Sequence, residues 1–358
     1  MRRFLISIIS LLFIYTEGYA QGCVAIRSTG GFCSPSMDHA AKPSSWIVGL
    51  NNRYFKSYKH FVGTAEQKQR VEQGTEVINH AYTLDVLLTR NINARWSFTL
   101  DVPVISNARS SLYEHDGKNR YSTHSFGLGD IRFSAYSWLL DPSKNPKGNI
   151  QLGLGLKLPT GDYKYQDFFI KSDSVKVLGP VDQSIQLGDG GTGFTTEMNG
   201  YYNFSSLLGV YGNFFYLFNP REQNGTSTSR GAAPSASSII YGSSTMSVPD
   251  QYMLRAGVNL TLDKLGFSAG FRDDCLPVRD LIGGSSGFRR PGYILSIEPG
   301  VTYNLKKINL YAYVPYALKR NRTQSVPDKI KTQKTGVYSQ GDAAFADYVV
   351  NIGATIRF

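Results

Sequence analysis

The 358-residue chain lacks several features, and each absence excludes a class of protein. It has no series of apolar runs of about 20 residues, and its mean hydropathy is -0.23, so a polytopic helical membrane protein is excluded. The 36 glycines follow no Gly-X-Y period, which excludes collagen. The three cysteines show no metal-ligand spacing. With 18% charged and 13% aromatic residues, the chain is not disordered either.

The sequence also contains few candidate catalytic residues, since it has only five histidines. His124 is the one candidate base, with Ser122 two positions before it and therefore on the same strand face. Barrel phospholipases place the two residues in the opposite order, and the glycine-rich run 188–193 lacks the Lys-Ser/Thr of a phosphate loop. A lipid hydrolase is a remote alternative, and we predict no catalytic residue, no cofactor and no metal.

The N-terminus has the features of an export signal. Two arginines precede an apolar stretch over residues 4–15, and a small-residue cleavage site ends at Ala20. This stretch is too short to span a bilayer of about 30 Å, so residues 1–20 are predicted to be a signal peptide rather than an anchor. Its removal changes the formal charge from +11 to 11 − 2 + 1 = +10. Outside the cytoplasm, this basic excess favours anionic lipid headgroups or solutes as partners, and nucleic acid is not expected.

Residues 21–44 are predicted to form a periplasmic segment that could plug part of the following domain. Cys23 and Cys33 lie ten positions apart in a Gly/Ser-rich stretch and could form a disulfide in the oxidising periplasm. The alternative is two unpaired thiols. In either case Cys275 is left single.

Residues 45–358 alternate apolar with polar or small residues at a period of two. In the last stretch the even positions from Tyr348 to Phe358 are apolar, and the odd positions are polar or small. The same pattern occurs in residues 96–102, 150–158 and 252–260. This period is typical of strands, and the mixed second face suits a wall with lipid outside and a polar lumen inside. We therefore predict an all-β fold, an antiparallel transmembrane β-barrel of about twelve strands.

The connectors between strands alternate between long and short. Five tight turns separate six long connectors, which we place at residues 59–74, 107–125, 161–192, 220–248, 273–290 and 320–344. Long loops at one rim and short turns at the other are typical of outer-membrane barrels. The terminal Phe358 resembles the signal by which the barrel-assembly machinery recognises its substrates. The sequence thus predicts the outer membrane of a Gram-negative bacterium, with outer-membrane lipid as a partner.

Three stretches resemble a known family. They are Phe-Gly-Leu-Gly-Asp at 126–130, opening the predicted fourth strand, Leu-Lys-Leu-Pro-Thr-Gly-Asp-Tyr at 156–163, and residues 283–293. Together they resemble the outer-membrane transporter family of the meta-pathway of phenol degradation, over roughly residues 46–358. The resemblance implies a channel that admits small solutes, aromatic or hydrophobic ones among them. The motifs themselves are more typical of strand ends and bends than of catalysis.

If the apolar face meets lipid, charged residues on the other face line the lumen. Two interpretations are open: a salt-bridge network that stiffens the interior, or an eyelet whose field orders a passing solute. We predict passive uptake of a small-molecule solute. The alternative is a surface interaction barrel with a closed lumen and partner-binding outer loops. The candidate residues of the solute path are Asp101, Asp130, Arg132, Lys157, Glu197, Arg255 and Glu298.

Overall fold

A computed structural model describes residues 45–358. Fifteen of its nineteen strands form one antiparallel sheet, which closes when the first strand pairs with the last, and the other four form two separate two-stranded sheets. The predicted signal peptide, the segment 21–44 and the proposed Cys23–Cys33 bridge lie outside the described residues.

The helices are short, and none in the described part is long and apolar enough to cross a membrane. The helices are α1 (Lys68–Glu72), α2 (Ala236–Tyr241) and α3 (Val326–Thr335), with a 3-10 turn at Gln183–Ile185. The strands are β1 (Trp46–Val62), β2 (Ala65–Glu66), β3 (Ile78–Asn91), β4 (Trp96–Ser111), β5 (Tyr121–Leu128), β6 (Arg132–Trp138), β7 (Gly148–Lys157), β8 (Gln166–Ile170), β9 (Lys176–Pro180), β10 (Gly193–Asn203), β11 (Leu208–Phe218), β12 (Gln223–Ser227), β13 (Thr245–Ser247), β14 (Gln251–Leu262), β15 (Leu265–Leu276), β16 (Gly292–Asn304), β17 (Ile308–Tyr313), β18 (Tyr316–Arg322) and β19 (Ala343–Arg357).

Twelve strands form the barrel wall, which confirms the predicted fold class. Two of the twelve are interrupted: β5 and β6 together form the fourth, and β17 and β18 form the eleventh. The sequence motif at 126–130 was predicted to open the fourth strand, and this is wrong. That strand begins at Tyr121, and the motif ends at Asp130 in the break between β5 and β6.

The alternation of long and short connectors is confirmed. The five short ones occupy one rim and the six long ones the other, although the strands reach farther into the long connectors than predicted. The predicted connector 107–125 shrinks to 112–120, because polar residues at the ends of β4 and β5 still pair as a ladder. The predicted connector 161–192 contains the hairpin β8–β9. We refer to the two ends as the short-turn rim and the long-loop rim.

The two faces of the wall differ as the alternation predicts. Outward apolar side chains are exposed, as at Leu154, which is 68% accessible, whereas the inward Lys157 is only 2% accessible. In a water-soluble protein this distribution would be costly, since apolar area would stay in water and charges would be desolvated. A lipid exterior removes the first cost, and ion pairing among the inward residues reduces the second.

Tyrosine rings on the inner wall lie against glycines of neighbouring strands. A Cβ atom built on Gly353 would overlap the hydroxyl of Tyr311 and the carbonyl oxygen of Leu50. Gly300 leaves the same kind of space for the ring of Tyr313. Many of the small residues in the period-two pattern therefore leave space on the inner wall, and inward aromatic rings fill that space.

Substituting Gly353 with Ala should impair barrel assembly, because one of the overlapping atoms is backbone and cannot move away cheaply. We expect little heat-modifiable, folded protein on semi-native gels. Gly200→Ala is the matched control, since its Cβ would meet no atom closer than 3.8 Å, and it should fold as the unmodified chain does. Equal folded yields of the two variants would contradict this account.

One seam in the wall carries few backbone pairs. Tyr316↔Tyr348 is the single register pair between β18 and β19 in the described chain. Pro315, at the break between β17 and β18, has no N–H to donate to a ladder. Nearer the long-loop rim, β18 no longer pairs with β19. There the backbone of Arg322 forms two hydrogen bonds of 2.8 Å with the backbone of Gly63, which follows the end of β1.

Side chains fill the space that the missing ladder leaves. Arg320 donates to Asp347 at 2.6 Å and so joins β18 to β19. The rings of Phe61 and Phe345 pack edge to face with centroids 5.4 Å apart. Side-chain contacts therefore replace backbone hydrogen bonds along this part of the wall.

Candidate functional site

Part of the connector between β9 and β10 folds into the long-loop end of the barrel. The carbonyl oxygen of Ile185, in the 3-10 turn, accepts hydrogen bonds from Ser125 Oγ at 2.5 Å and Asn107 Nδ2 at 3.3 Å. Both donors lie on the inner wall, on β5 and β4. Asp182 caps the turn by accepting from the backbone N–H of Ser184 at 3.0 Å. We call residues 181–192 the inward segment, and it narrows the lumen.

A cavity of about 130 Å³ lies between the inward segment and the opposite wall. One part of its surface is apolar and is formed by Leu187, Leu217, Met246 and Leu276. Apart from Gly188 and Pro249, the other lining residues have charged, amide or hydroxyl side chains. These remaining lining residues are Asp130, Arg132, Lys157, Gln183, Ser184, Gln186, Gly188, Asp189, Asn224, Ser247, Pro249, Gln251 and Arg290.

Two of the predicted lumen residues form one ion cluster beside this cavity. The Lys157 ammonium contacts the carboxylate of Asp189 and lies 3.6 Å from that of Asp130. Asp130 also accepts backbone hydrogen bonds from Gly161 at 3.0 Å and Asp189 at 3.1 Å. The motif at 156–163 and the inward segment are thus fixed to each other through Asp130, which supports an architectural role for the motif.

Arg255 and Glu298 form a second ion cluster on the inner wall. Arg255 Nε donates to Glu298 Oε1 at 2.8 Å, and Arg272 lies 3.4 Å from Glu298 Oε2. Arg272 also pairs with Asp274 at 2.7 Å. The sequence interpretation missed both residues: Asp274 falls within the predicted connector 273–290, and Arg272 directly precedes that connector.

The remaining predicted lumen residues, Asp101, Arg132 and Glu197, are also buried in the described wall. Asp101 lies opposite Arg132 in register, and the Arg132 guanidinium is 5.5 Å from the ring centre of Phe215. Glu197 accepts a hydrogen bond from the Tyr136 hydroxyl at 3.1 Å. Their role in a solute path stays a prediction.

A further group of charges joins four long connectors at the long-loop rim. Arg109 of β4 binds Glu114 at 2.8 Å and lies 3.5 Å from Asp182. Arg230 reaches Glu114 at 2.7 Å, and Arg290 reaches Asp182 at 2.6 Å. We call these five residues the rim latch. Arg109 lies on β4, and the other four members come from connectors that are far apart in sequence, so no local pattern could have revealed the rim latch.

The rim latch favours ionised carboxylates. Burial alone would raise the pKa of Asp182, but the charges of Arg109 and Arg290 outweigh it and hold this pKa well below the ordinary value. Burial likewise opposes the charge of Glu114, and Arg109 and Arg230 lower its pKa. The acids therefore stay charged at neutral pH, and the latch is closed in this structure.

The residues considered for catalysis are not assembled into a site. His124 is 67% accessible in its side chain, and its Nδ1 lies 3.9 Å from Asp167 Oδ2. Ser122 is exposed on the same strand, and Cys275 is a buried free thiol. Across residues 45–358, no group of three or more His, Cys, Asp or Glu side chains could hold a metal ion.

No family model matches the chain, and no curated protein matches it in sequence. Among solved structures, the COG4313 outer membrane channel from Pseudomonas putida F1 is 11% identical, with a TM-score of 0.58 over 90% of this chain and 98% of that chain. The fold is that of an outer-membrane β-barrel. The predicted phenol-degradation family itself stays a prediction, since an identity this low shows the fold alone.

Two other barrels align over similar lengths. The translocator domain of the autotransporter NalP from Neisseria meningitidis is 14% identical, with a TM-score of 0.45 over 90% of each chain. The CymD monoaromatic hydrocarbon channel is 9% identical, with a TM-score of 0.42 over 95% of this chain and 98% of that chain. With TM-scores below 0.5, these two carry no argument about this barrel.

Proposed function

We propose that the protein is an outer-membrane channel for passive uptake of small solutes. The observation that supports this most directly is the cavity inside the barrel, lined by both the wall and the inward segment. Concave sites with an apolar part and a few polar groups are typical of small-molecule binding. Under this proposal the protein lies in the outer membrane of a Gram-negative bacterium and is inserted by the barrel-assembly machinery through Phe358.

The charge pairing around the cavity favours uncharged solutes. Lys157 is compensated by Asp130 and Asp189, and Arg290 is compensated by Asp182. A charged solute would have to compete with these pairs and would also be desolvated. An uncharged solute gains from burying its apolar surface, at roughly 25 cal/mol per Å². We therefore propose small hydrophobic or aromatic molecules with one or two hydrogen-bonding groups.

The interaction alternative is favoured by one observation. Ile239, Leu281, Val337 and Tyr338 are large apolar or aromatic residues on the long connectors, and all are exposed. Such side chains could contact a partner. Single-channel recording in planar bilayers separates the two functions, since well-folded protein that carries no current would favour the interaction barrel.

Filling the cavity should block uptake. Gln251 lines the cavity from β14, and Gln251→Trp should reduce the flux of a small neutral aromatic solute by roughly tenfold or more, because the larger side chain occupies the path. Liposome swelling measures this flux. Tyr252→Trp is the matched control, one residue along on the outward face, and should leave the flux unchanged. Unaltered flux in Gln251→Trp would count against the cavity as the route.

A further inference from the structure

Two basic side chains lie opposite each other on the outer surface of the barrel, close to the long-loop rim. Lys56 of β1 and His80 of β3 are register partners, so their Cβ atoms are about 5 Å apart. Both side chains are exposed. They share the outward face with Tyr54 and Tyr82, which are register partners two residues nearer the membrane centre.

Aromatic neighbours hold both basic groups in place. The Tyr54 hydroxyl lies 2.8 Å from His80 Nδ1, and the Tyr54 and His80 rings are stacked with centroids 6.2 Å apart. When Tyr54 donates to Nδ1, the neutral His80 ring carries its proton on Nε2, which can then donate to a ligand. The Lys56 ammonium lies 4.8 Å from the ring centre of Tyr58. The two donors are thus supported by rings rather than extended freely into solvent.

Within the described chain, no acid neutralises the charge of Lys56. Its neighbour Lys59 is paired with Asp347 at 2.9 Å, and that carboxylate also accepts from Tyr58 at 3.0 Å. In residues 45–358, by contrast, no carboxylate lies within 4.0 Å of the Lys56 ammonium. A cation beside a second donor, with no acid to neutralise it, is suited to an anionic ligand.

The height of this pair in the wall indicates which anion it meets. Tyrosines mark the boundary between hydrocarbon and headgroups in membrane barrels, and Lys56 and His80 stand one row beyond Tyr54 and Tyr82. On the outward face, an anion at this height belongs to a lipid headgroup. We propose that Lys56 and His80 bind the phosphate of an outer-leaflet glycolipid such as lipid A. This inference rests on the proposed outer-membrane location, but not on the channel function.

Lipid binding by the purified full chain tests the inference. In detergent, binding of diphosphorylated lipid A can be followed by native mass spectrometry, together with folding by heat-modifiable gel migration. We expect the double variant Lys56→Gln/His80→Gln to bind at least about tenfold more weakly, since two donors to phosphate are lost. Lys56→Arg/His80→Gln keeps the cation and should bind with intermediate strength, which separates a charge effect from misfolding.

The matched control is Lys164→Gln. Lys164 also stacks on a tyrosine, 5.5 Å from the ring centre of Tyr163, but it lies in the connector before β8 and should not affect lipid binding. Dephosphorylated lipid A should bind the unmodified chain as weakly as phosphorylated lipid A binds the double variant. Equal binding of the phosphorylated lipid to the double variant and the unmodified chain would overturn the inference. Full competition by millimolar inorganic phosphate would also overturn it, since the site would then be a free-anion site.

Solute flux measured on the same variants keeps the two proposals apart. Lys56 and His80 are outside the lumen, so flux through the double variant should match that of the unmodified chain. Lipid binding without any flux would refute the channel and leave the lipid site standing. Flux through the unmodified chain, together with equal lipid binding by the unmodified chain and the double variant, would refute the lipid site and leave the channel standing.

Discussion

Under the proposed channel function, Asp182→Asn should increase the fraction of time for which the lumen is open. The substitution removes the charge to which Arg290 binds at 2.6 Å and near which Arg109 and Arg230 lie, while Asn can still cap Ser184. Breaking a buried ion pair costs about 3–5 kcal/mol. If much of that cost falls on the closed state, the open population rises roughly a hundredfold or more. Single-channel recordings should show longer and more frequent open events.

Asp116→Asn is the matched control for this variant. Asp116 lies in the same connector as Glu114 but is partly exposed, and its carboxylate accepts hydrogen bonds from its own turn, at Lys118 and Asn119. It should leave the current unchanged. Identical gating in Asp182→Asn and the unmodified chain would show that the rim latch does not control access to the lumen.

The pH dependence of the current gives a second check on the latch. The pKa of Asp182 is lowered well below its ordinary value in the folded protein, so its contribution to the closed state is complete above the unfolded pKa of about 3.9 and is lost as pH falls from there through the lowered pKa. Under the proposed function, acidification well below about pH 4 should therefore raise the current through the unmodified protein. Asp182→Asn should lack most of this response, since it has no carboxylate to protonate.

Lys157→Met should strongly destabilise the barrel. It removes the cation shared by Asp130 and Asp189 and leaves two acids close together, of which Asp130 is almost fully buried. The expected cost is about 3–5 kcal/mol, because an uncompensated buried charge remains. Urea titrations followed by heat-modifiable migration should show a lower midpoint.

Neutralising the two acids that Lys157→Met leaves without their cation tests the cause of this effect. The triple variant Lys157→Met/Asp130→Asn/Asp189→Asn should recover most of the lost stability, since neutral amides can still accept the backbone hydrogen bonds. Lys176→Met, at an exposed lysine of β9, should change stability by no more than about 0.5 kcal/mol. Failure of the triple variant to recover would mean that Lys157 acts through packing and not through charge.

Sequence periodicity predicted the wall well because alternation is a local property. A strand between lipid and a polar lumen needs apolar residues at every second position, as between Tyr348 and Phe358, and no distant residue alters that requirement. The same pattern placed Lys157, Arg255 and Glu298 on the inner wall. It could not show which inward charges pair, since pairing depends on strand register and side-chain reach.

The rim latch and the inward segment were beyond sequence-based prediction for a different reason. Glu114 and Arg230 are 116 residues apart and come together only when the barrel closes and its connectors fold across one another. Within its own connector, Asp182 has the sequence context of an ordinary turn residue. Such contacts form only when the barrel has closed, and no local residue pattern predicts them.

Between β18 and β19, the barrel wall is held together by fewer backbone hydrogen bonds than along most of its circumference. Along most of the wall, adjacent strands are joined by rows of backbone hydrogen bonds that must break together, whereas here the contacts of Arg320 with Asp347 and of the Phe61 ring with the Phe345 ring can separate one at a time. Local opening of the wall should be most frequent between these two strands, and the amide protons on the edge of β18 that faces β19 should be among the first in the wall to exchange with solvent.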